Sequence, residues 1–416
     1  MTQATENPQS IQTRCCIVGG GPAGMMLGFL LARSGVDVVV LEKHKDFLRD
    51  FRGDTIHPST LELLVELGLL DDFLQLPHQE LNSVKITSDG QTVPIADFAH
   101  LPTHCKFIAF MPQWDFLNFI ADKAKQYPSF QLRMETEAID LIEENGTITG
   151  VKASTPTNEL VIKADLVVGT DGRRSIIRDK AKLPVQDFGV PIDVLWMRIL
   201  KDPAIGEQSL GYLKAGKFMV LIDRRDYFQC GFLIPKGQYK TIKQRGLSAL
   251  QADILDLAPF VGDYINELDS WDKISLLTVK IDRLRQWYKP GLLCIGDAAH
   301  AMSPAGGVGV NLAIQDAVAT ANQLAVPLQK GPVSTDLLAR IQRRRLWPVR
   351  VIQAGQIFAH RRLINASSTR PTGFPPYLLW LFRHLPVLRR LPARLVGMGP
   401  RPEHIRTGEK QMEMSR

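Results

Sequence analysis

Cysteine is scarce in this chain. Its five residues, Cys15, Cys16, Cys105, Cys230 and Cys294, show no C-x-x-C spacing. An odd number of cysteines argues against a disulfide framework, and a reducing, cytoplasmic setting is expected. Long apolar runs are also missing: no stretch of about 18 uncharged apolar residues appears, so a spanning helix is not expected. The first 13 residues are polar, with neither a basic n-region nor an apolar core, so no secretory signal is expected. There is no internal repeat, no low-complexity tract and no metal-ligand spacing, and neither a metal nor a nucleic-acid partner is expected. Acids are absent from Leu337 to Pro402, a segment with 13 arginines and no lysine. The formal net charge of +7 resides there, because the remaining 37 of 50 basic residues are outnumbered by 43 acids. Such a segment suits an anionic membrane surface or an acidic partner, or else arginines that are solvated or paired with carboxylates elsewhere in the fold.

The rest is ordinary globular composition, 45% hydrophobic and 22% charged over 416 residues. That is long enough for two interlocked domains. Arg14 to Gly19 reads as an apolar strand. Gly19-Gly20-Gly21-Pro22-Ala23-Gly24 follows, then an apolar helix that ends near Ser34-Gly35. A second strand, Asp37 to Leu41, runs into Glu42 and Lys43. This is G-x-G-x-x-G in its strand, turn, helix, strand setting. Gly19 permits the tight turn, Gly21 lets backbone approach a pyrophosphate, and Gly24 lets helix and strand pack closely. The helix N-terminus offers unpaired N–H groups to phosphates, with Pro22 and Ala23 in its first turn. Glu42 suits two ribose hydroxyls, being an acceptor only. The motif alone does not choose between NAD and FAD.

Two later segments add to it. Ala164 to Thr170 is another buried strand, followed by Asp171-Gly172-Arg173-Arg174-Ser175-Ile176-Ile177-Arg178. Leu292 to Ile295 leads into Gly296-Asp297-Ala298-Ala299-His300, then Pro304, Gly307, Gly309 and Asn311. These three motifs, in this order, resemble the class A flavoprotein monooxygenases, the family with the para-hydroxybenzoate hydroxylase fold, over nearly the whole chain. The resemblance implies an α/β fold: a Rossmann-like FAD-binding domain interleaved with a mainly antiparallel β-sheet substrate domain, plus C-terminal helices. It implies FAD as cofactor, NAD(P)H as transient reductant, and O2 with a small organic molecule as substrates. An aromatic, quinone-like or polycyclic substrate would be hydroxylated through a flavin C4a-hydroperoxide. By the same resemblance Asp297 would bond the ribityl chain, and Asp171 and Gly172 would lie where FAD and NAD(P)H both approach. Arg52 would contact the FAD phosphates, and Gln113 would lie beside the flavin linker. Val308 departs from the Gln common in the ubiquinone-biosynthesis members.

Elementary chemistry agrees. A reduced flavin is negative near N1 and the C2 carbonyl, and a helix opening at Gly309-Val310-Asn311 would aim backbone donors at that edge. Pro304 would stiffen the wall facing the ring. No catalytic base is identifiable, and His300 is expected to be packed and hydrogen-bonded rather than catalytic. Rival readings are an FAD-dependent reductase of prenyl double bonds and a non-enzymatic FAD-binding protein of membrane surfaces.

The intervening segments 81–95, 190–200, 217–223, 227–234 and 274–281 read as half-buried antiparallel strands. Trp196, Met197, Phe218 and Phe228 are candidate pocket residues, and Arg198 a candidate for a polar substrate group. The division expected is 1–80, 106–182 and 286–330 for FAD, 81–105 and 183–285 for substrate, and 331–416 as an Arg-rich helical region. Within that region 340–366 reads as a helix kinked at Pro348. Leu381, Phe382, Leu385, Leu388 and Leu391, with Arg383, Arg389 and Arg390, suit an amphipathic surface helix broken by Pro386. Such a surface would be either a lid or a membrane contact.

Overall fold

The computed structural model describes residues 9–48, 55–206, 208–364 and 376–410. Arg52, expected at the FAD phosphates, lies outside the described residues.

The apolar runs that read as strands form the centre of an eight-stranded sheet. Its path runs Tyr288–Lys289, Leu292–Cys294, Glu159–Gly169, Gln9–Val18, Val38–Leu41 and Phe130–Arg133. The four strands from Leu292–Cys294 to Val38–Leu41 are parallel, and so is Phe130–Arg133. Both faces are covered, so these strands read as continuous apolar runs without alternation. The first strand begins at Gln9, five residues before the expected Arg14, because its polar half pairs with Leu160 to Ala164. A hairpin of Glu137–Glu144 and Thr147–Ser154 adds antiparallel strands beside Glu159–Gly169.

One face of this sheet carries helix Pro22–Arg33 packed on helix Val308–Lys330. Gly28 allows the close approach on the strand side, since a Cβ there would sit 2.8 Å from Val40 Cγ2. All five cysteines are buried and free. Among the described residues no helix is long and apolar enough to cross a membrane.

A second, mostly antiparallel sheet has the order Ile274–Leu277, Ile192–Leu200, Tyr227–Pro235, Lys217–Asp223, Gly211–Lys214, Ser83–Ser88 and Gln91–Asp97. The expected strand over 81–95 is a hairpin, turned at Asp89 and Gly90, both with positive φ. The strand expected over 274–281 stops at Leu277. Gly211–Lys214 was not expected: four residues around a Gly carry too little periodicity. Alternation along Ile192–Leu200 sorts the faces. Leu195, Met197 and Ile199 point to a core with Met219, Leu221, Phe228 and Cys230, roofed by Leu250, Ile254, Leu257 and Val261. Met197 and Phe228 are therefore core residues of the helix-covered face, not pocket residues. Trp196 lies on the other face, its ring over Gly231, and Phe218 shares that face by register.

The C-terminal segment is helical, as its composition suggested. Helix Thr335–Ile364 starts five residues earlier than expected and runs through Pro348. Helix Pro376–His384 ends before Pro386, which opens a short 3-10 turn, Pro386–Arg389, and then helix Arg390–Gly397. Ala393, Val396 and Met398 of this last part pack against Phe98 and Leu101 beside the second sheet. Finally, residues 403–410 run back across the first sheet's helices. Ile405 N donates to Glu66, Arg406 N to Asn322 and Lys410 N to the Arg33 carbonyl.

Candidate active site

The register of the parallel sheet brings the three motifs together. Val18 pairs with Gly169, and Gly169 with Cys294, so the three strands end side by side. Gly19–Gly24, Asp171–Arg178 and Gly296–Asn311 therefore all leave one edge of the sheet. That is the crevice at the carboxyl ends of parallel strands where open α/β sheets bind ligands.

At the first turn, Gly19 has φ +109°, and a Cβ there would meet the Thr170 carbonyl oxygen at 2.6 Å. A Cβ on Gly24 would lie 2.0 Å from Gly19 O, so helix and turn touch through backbone. A Cβ on Gly21, by contrast, would meet nothing within 4 Å. This glycine borders open space instead of protein. Helix Pro22–Arg33 begins at Gly21 with no side-chain cap, leaving its first-turn N–H groups to other acceptors. Glu42 is buried at the end of the next strand and accepts from Gly20 N at 3.0 Å and His44 N at 3.1 Å. These bonds orient the carboxylate at the first turn. Lys43 pairs with Glu137 at 3.7 Å on the surface.

The second motif is largely self-directed. Asp171 accepts from Ser175 Oγ at 2.5 Å and from Ile177 N at 3.2 Å, and Ser175 accepts from Arg178 N. Burial raises the Asp171 carboxyl, and these donors oppose the rise. Arg178 donates to the Arg173 carbonyl and lies 3.6 Å from Asp282. The spacing D-x-x-x-S-x-x-R thus builds a capped turn. Arg173, freed by it, reaches across to Asp297, Nε to Oδ2, at 3.1 Å, both side chains about one-third exposed. Gly172, with φ +83°, is the hinge of this turn.

The third motif supplies a second helix start of the same kind. Helix Val308–Lys330 begins after Gly307, with φ +62° and no side-chain cap. A Cβ on Gly307 would lie 2.2 Å from Thr55 Oγ1, which itself donates to Gly307 O at 3.1 Å. Gly309 and Val310 are half-buried in the first turn. Asn311, expected to help aim donors at a flavin, spends its side chain on the fold. Its Oδ1 accepts from His57 N at 3.0 Å and Thr60 Oγ1 at 2.7 Å, and its Nδ2 donates to Thr55 O at 3.3 Å. Thr55–Ile56 pairs with Ile108–Phe110, and three residues later Gln113 opens helix Gln113–Ala124.

Beneath the third turn lies a buried ionic cluster that sequence reasoning missed. Asp316 is fully buried and accepts from Gly296 N at 3.1 Å, His300 Nε2 at 2.5 Å and Arg345 Nε at 2.8 Å. Arg345, also fully buried, continues to Glu403, which Arg344 grips through both carboxylate oxygens. Burial alone would raise the Asp316 carboxyl, but the charges of His300 and Arg345 outweigh it and hold it below its ordinary range. His300 is packed as expected, 5.0 Å from the Trp287 ring. A lone Asp within NLAIQDAVATANQLA was the available signal.

The loop from Ala301 to Ala305 is clamped from outside by helix Thr335–Ile364. Gln353 Nε2 donates to Ala301 O and Asp282 O, and Gln356 Nε2 to Ser303 O and Ala305 O. Gln356 Oε1 also accepts from Ser303 N, and His360 Nε2 lies 3.1 Å from Ser303 Oγ. Pro304 is held in the middle of this clamp.

The residues fit FAD. Two uncapped, glycine-started helix N-termini open at one sheet edge, with an oriented carboxylate near each, Glu42 and Asp297. Such ends favour phosphates and the negative edge of a reduced ring.

A family described as an FAD binding domain matches residues 12–354. A 6-methylpretetramide 4-monooxygenase of Streptomyces rimosus is 31% identical over 386 residues, covering 91% of this chain and 92% of that protein. A dialkyldecalin synthase of Streptomyces rugosporus is 26% identical over 328 residues, 75% of this chain and 65% of that one. Among solved structures, p-nitrophenol 4-monooxygenase PnpA of Pseudomonas putida superposes with a TM-score of 0.77 at 20% identity. That match covers 94% of this chain and all of that one.

Proposed function

The chain belongs to the FAD-binding-domain family of class A flavoprotein monooxygenases, and we propose that its substrate is a phenolic polycycle of the pretetramide kind. It is an FAD-dependent oxidoreductase that uses NAD(P)H and O2 to hydroxylate an aromatic molecule. The polycyclic preference rests on the Streptomyces rimosus relative, which is 31% identical and aligns over 91% of this chain and 92% of its own.

FAD, when bound, takes a hydride from the nicotinamide and activates O2. The chain's own groups then bind and orient. Gly21, Ala23 and Gly24 present N–H groups to the pyrophosphate, Pro22 fixes the first turn of the helix behind them, and Glu42 takes the adenosine ribose. Asp297, steadied by Arg173, takes the ribityl chain. The turn at Gly309-Val310 faces the N1 edge, and Pro304 forms the wall. Asp171 and Asn311 act one layer out, by fixing their own turns. The open face of the second sheet, with Trp196, Ile222, Gln229 and Gly231, covers the ring and receives substrate. Arg224, bonded to Gln229 and 5.9 Å from the Phe110 ring, is placed to meet a phenolate. In this reading segments 1–80, 106–182 and 286–330 hold FAD, 81–105 and 183–285 hold substrate, and 331–416 clamps the two.

The observation that carries the reading is the pair of uncapped helix starts at adjoining strand ends. The test is NAD(P)H oxidation by FAD-loaded protein against polycyclic phenols, with product masses. Gain of one oxygen atom is expected. Addition of two hydrogens would point to the double-bond reductase instead, and an isomer of unchanged mass to chemistry like that named for the dialkyldecalin synthase. No uptake of FAD at all would defeat every flavin reading.

We further infer a cytoplasmic protein with peripheral membrane contact. Tyr377, Trp380, Val387 and Leu391 are exposed in a segment whose charges are all basic. Aromatic and basic residues together suit an anionic lipid surface. Sedimentation with phosphatidylglycerol vesicles, and not with phosphatidylcholine, is expected; equal absence from both pellets would remove the inference.

A further inference from the structure

Only one glycine-rich dinucleotide turn is present in the chain, so the reductant must dock on something other than a second such turn. A groove of about 410 Å³ runs along helix Thr335–Ile364, lined by Arg350, Gln353, Ala354, Ile357, Phe358 and Arg361, with Phe188 and Arg283 opposite. The helical residues recur at three and four, so they form a single stripe. Arg350 and Arg361 are 11 positions apart in that stripe, roughly 16 Å along the axis.

Charge in this groove is unbalanced. Arg283 is half-buried, donates to Gln353 Oε1 at 2.8 Å and lies 4.7 Å from the Phe188 ring centre. Among the described residues no carboxylate lies within ion-pair distance of Arg283, Arg350 or Arg361. Burial, and then the positive charge of Arg350, pull the Arg283 guanidinium below its ordinary range. Guanidiniums gathered without a counter-charge favour an anion, above all phosphate, which their planar forks bind by two bonds at once. Between the charged ends, Ala354 and Ile357 make a low apolar floor, and the guanidinium stacked on Phe188 offers a flat plate for a base.

The groove also begins in the right place. Arg283 adjoins Asp282, which feels the charges of Arg178 and Asp297. Gln353, in its wall, holds the Ala301 carbonyl, at the root of the loop that carries Pro304.

We propose that this groove binds the phosphate-bearing part of NAD(P)H, with Arg283 and Arg350 on one phosphate group and Arg361 on another. The proposal rests on the monooxygenase reading above and assigns its reductant a site.

The test is calorimetric titration of FAD-loaded protein with NADP+, alongside flavin reduction by NADPH followed at the flavin absorbance. Arg350 and Arg361 are exposed and without ion-pair partners among the described residues, so R350Q/R361Q should fold and retain FAD. Its Kd for NADP+ should rise about tenfold or more, with a shallower salt dependence. Reduction by dithionite, which needs no docking, should keep its rate. R383Q/R390Q, which removes two positive charges outside the groove, should leave the Kd in place. An unchanged Kd in R350Q/R361Q overturns the assignment, as does an equal loss in R383Q/R390Q. So does a groove whose arginines govern binding of naphthoate but not of NADP+. If unmodified protein binds no NADP+ and its FAD is reduced by dithionite but by neither NADPH nor NADH, the monooxygenase reading itself falls, and the groove with it.

Discussion

At the scale of single residues, the glycines of the first turn divide into two kinds. Gly24 touches Gly19 O, so Gly24→Ala must displace the turn and should cost more than the roughly 1–3 kcal/mol typical of overpacking. Gly21 borders open space, so Gly21→Ala should leave stability within about 0.5 kcal/mol and act on FAD alone. Measuring denaturation midpoint and flavin content for both variants separates these roles; equal loss of stability in the two would contradict the geometry. Asp316 is the other residue that matters in this way. Replacing it by Ala leaves Arg345 with Glu403 as its remaining counter-charge and takes the acceptor from His300, and loss of one partner of a buried pair costs up to about 3–5 kcal/mol. The carboxyl is held below its ordinary range, so its contribution is present above about pH 4 and is lost as pH falls through its folded value. Urea titration at pH 7 should show the full loss for Asp316→Ala. Of these residues, the glycines were legible in the sequence because their spacing is local. Asp316 was not, since its partners Arg345 and Glu403 come from segments that sequence order does not relate to it.

At the scale of elements, helix Thr335–Ile364 acts as a clamp on the loop before helix Val308–Lys330. Its amides Gln353 and Gln356 take the place of a regular backbone ladder. Gln356→Leu removes donors from two carbonyls and an acceptor from Ser303 N, with both bonds to Ser303 buried. The expected cost is about 1–3 kcal/mol, with a drop in FAD affinity that outlasts correction for stability. Two histidines belong to this same layer. His360 meets Ser303, and His57 Nδ1 lies 2.7 Å from Val396 O, tying helix Arg390–Gly397 to the fold. Burial lowers both to about 4. An unfolded chain takes up their protons near pH 6.5, whereas the folded one does not until near pH 4. Stability should therefore be level above about pH 6.5 and decline below it, by up to about 1.4 kcal/mol per pH unit for each histidine. Denaturant midpoints at pH 7, 6 and 5 should fall, and the H57Q/H360Q variant should flatten the slope. The sequence disclosed these helices through composition and period, including the break at Pro386. It did not disclose which face of Ile192–Leu200 is roofed, because both faces are apolar; that is why Met197 and Phe228 were misplaced as pocket residues.

At the scale of the whole molecule, the proposed FAD site joins the turns at Gly19 and Gly309, segments that fold onto one sheet from distant parts of the chain. A ligand that binds only the folded state stabilises it by mass action, about 2.7 kcal/mol at a hundredfold excess over Kd. Adding FAD to stripped protein should raise the melting temperature of the whole transition rather than of one part, and calorimetry should register a single shifted peak. Two peaks, one unmoved by FAD, would mean that the second sheet unfolds on its own. The α/β class was legible because three buried strands each run straight into a glycine turn; the edge those turns share comes from the strand register. The strand order was not, since pairing of Glu159–Gly169 between Gln9–Val18 and Leu292–Cys294 is a matter of crossover, not of local pattern.

Glu403 adds a matter of timing. It supplies counter-charge to Arg344 and Arg345, and its backbone N–H donates to Gln315, 88 residues earlier. At a synthesis rate of about 5–20 residues per second, that interval lasts roughly 4–18 s. In the part of it after Arg345 is made, the nascent protein carries both arginines but lacks the acid that pairs with them. Closure of the ionic cluster beneath the third turn thus waits on the synthesis of Glu403.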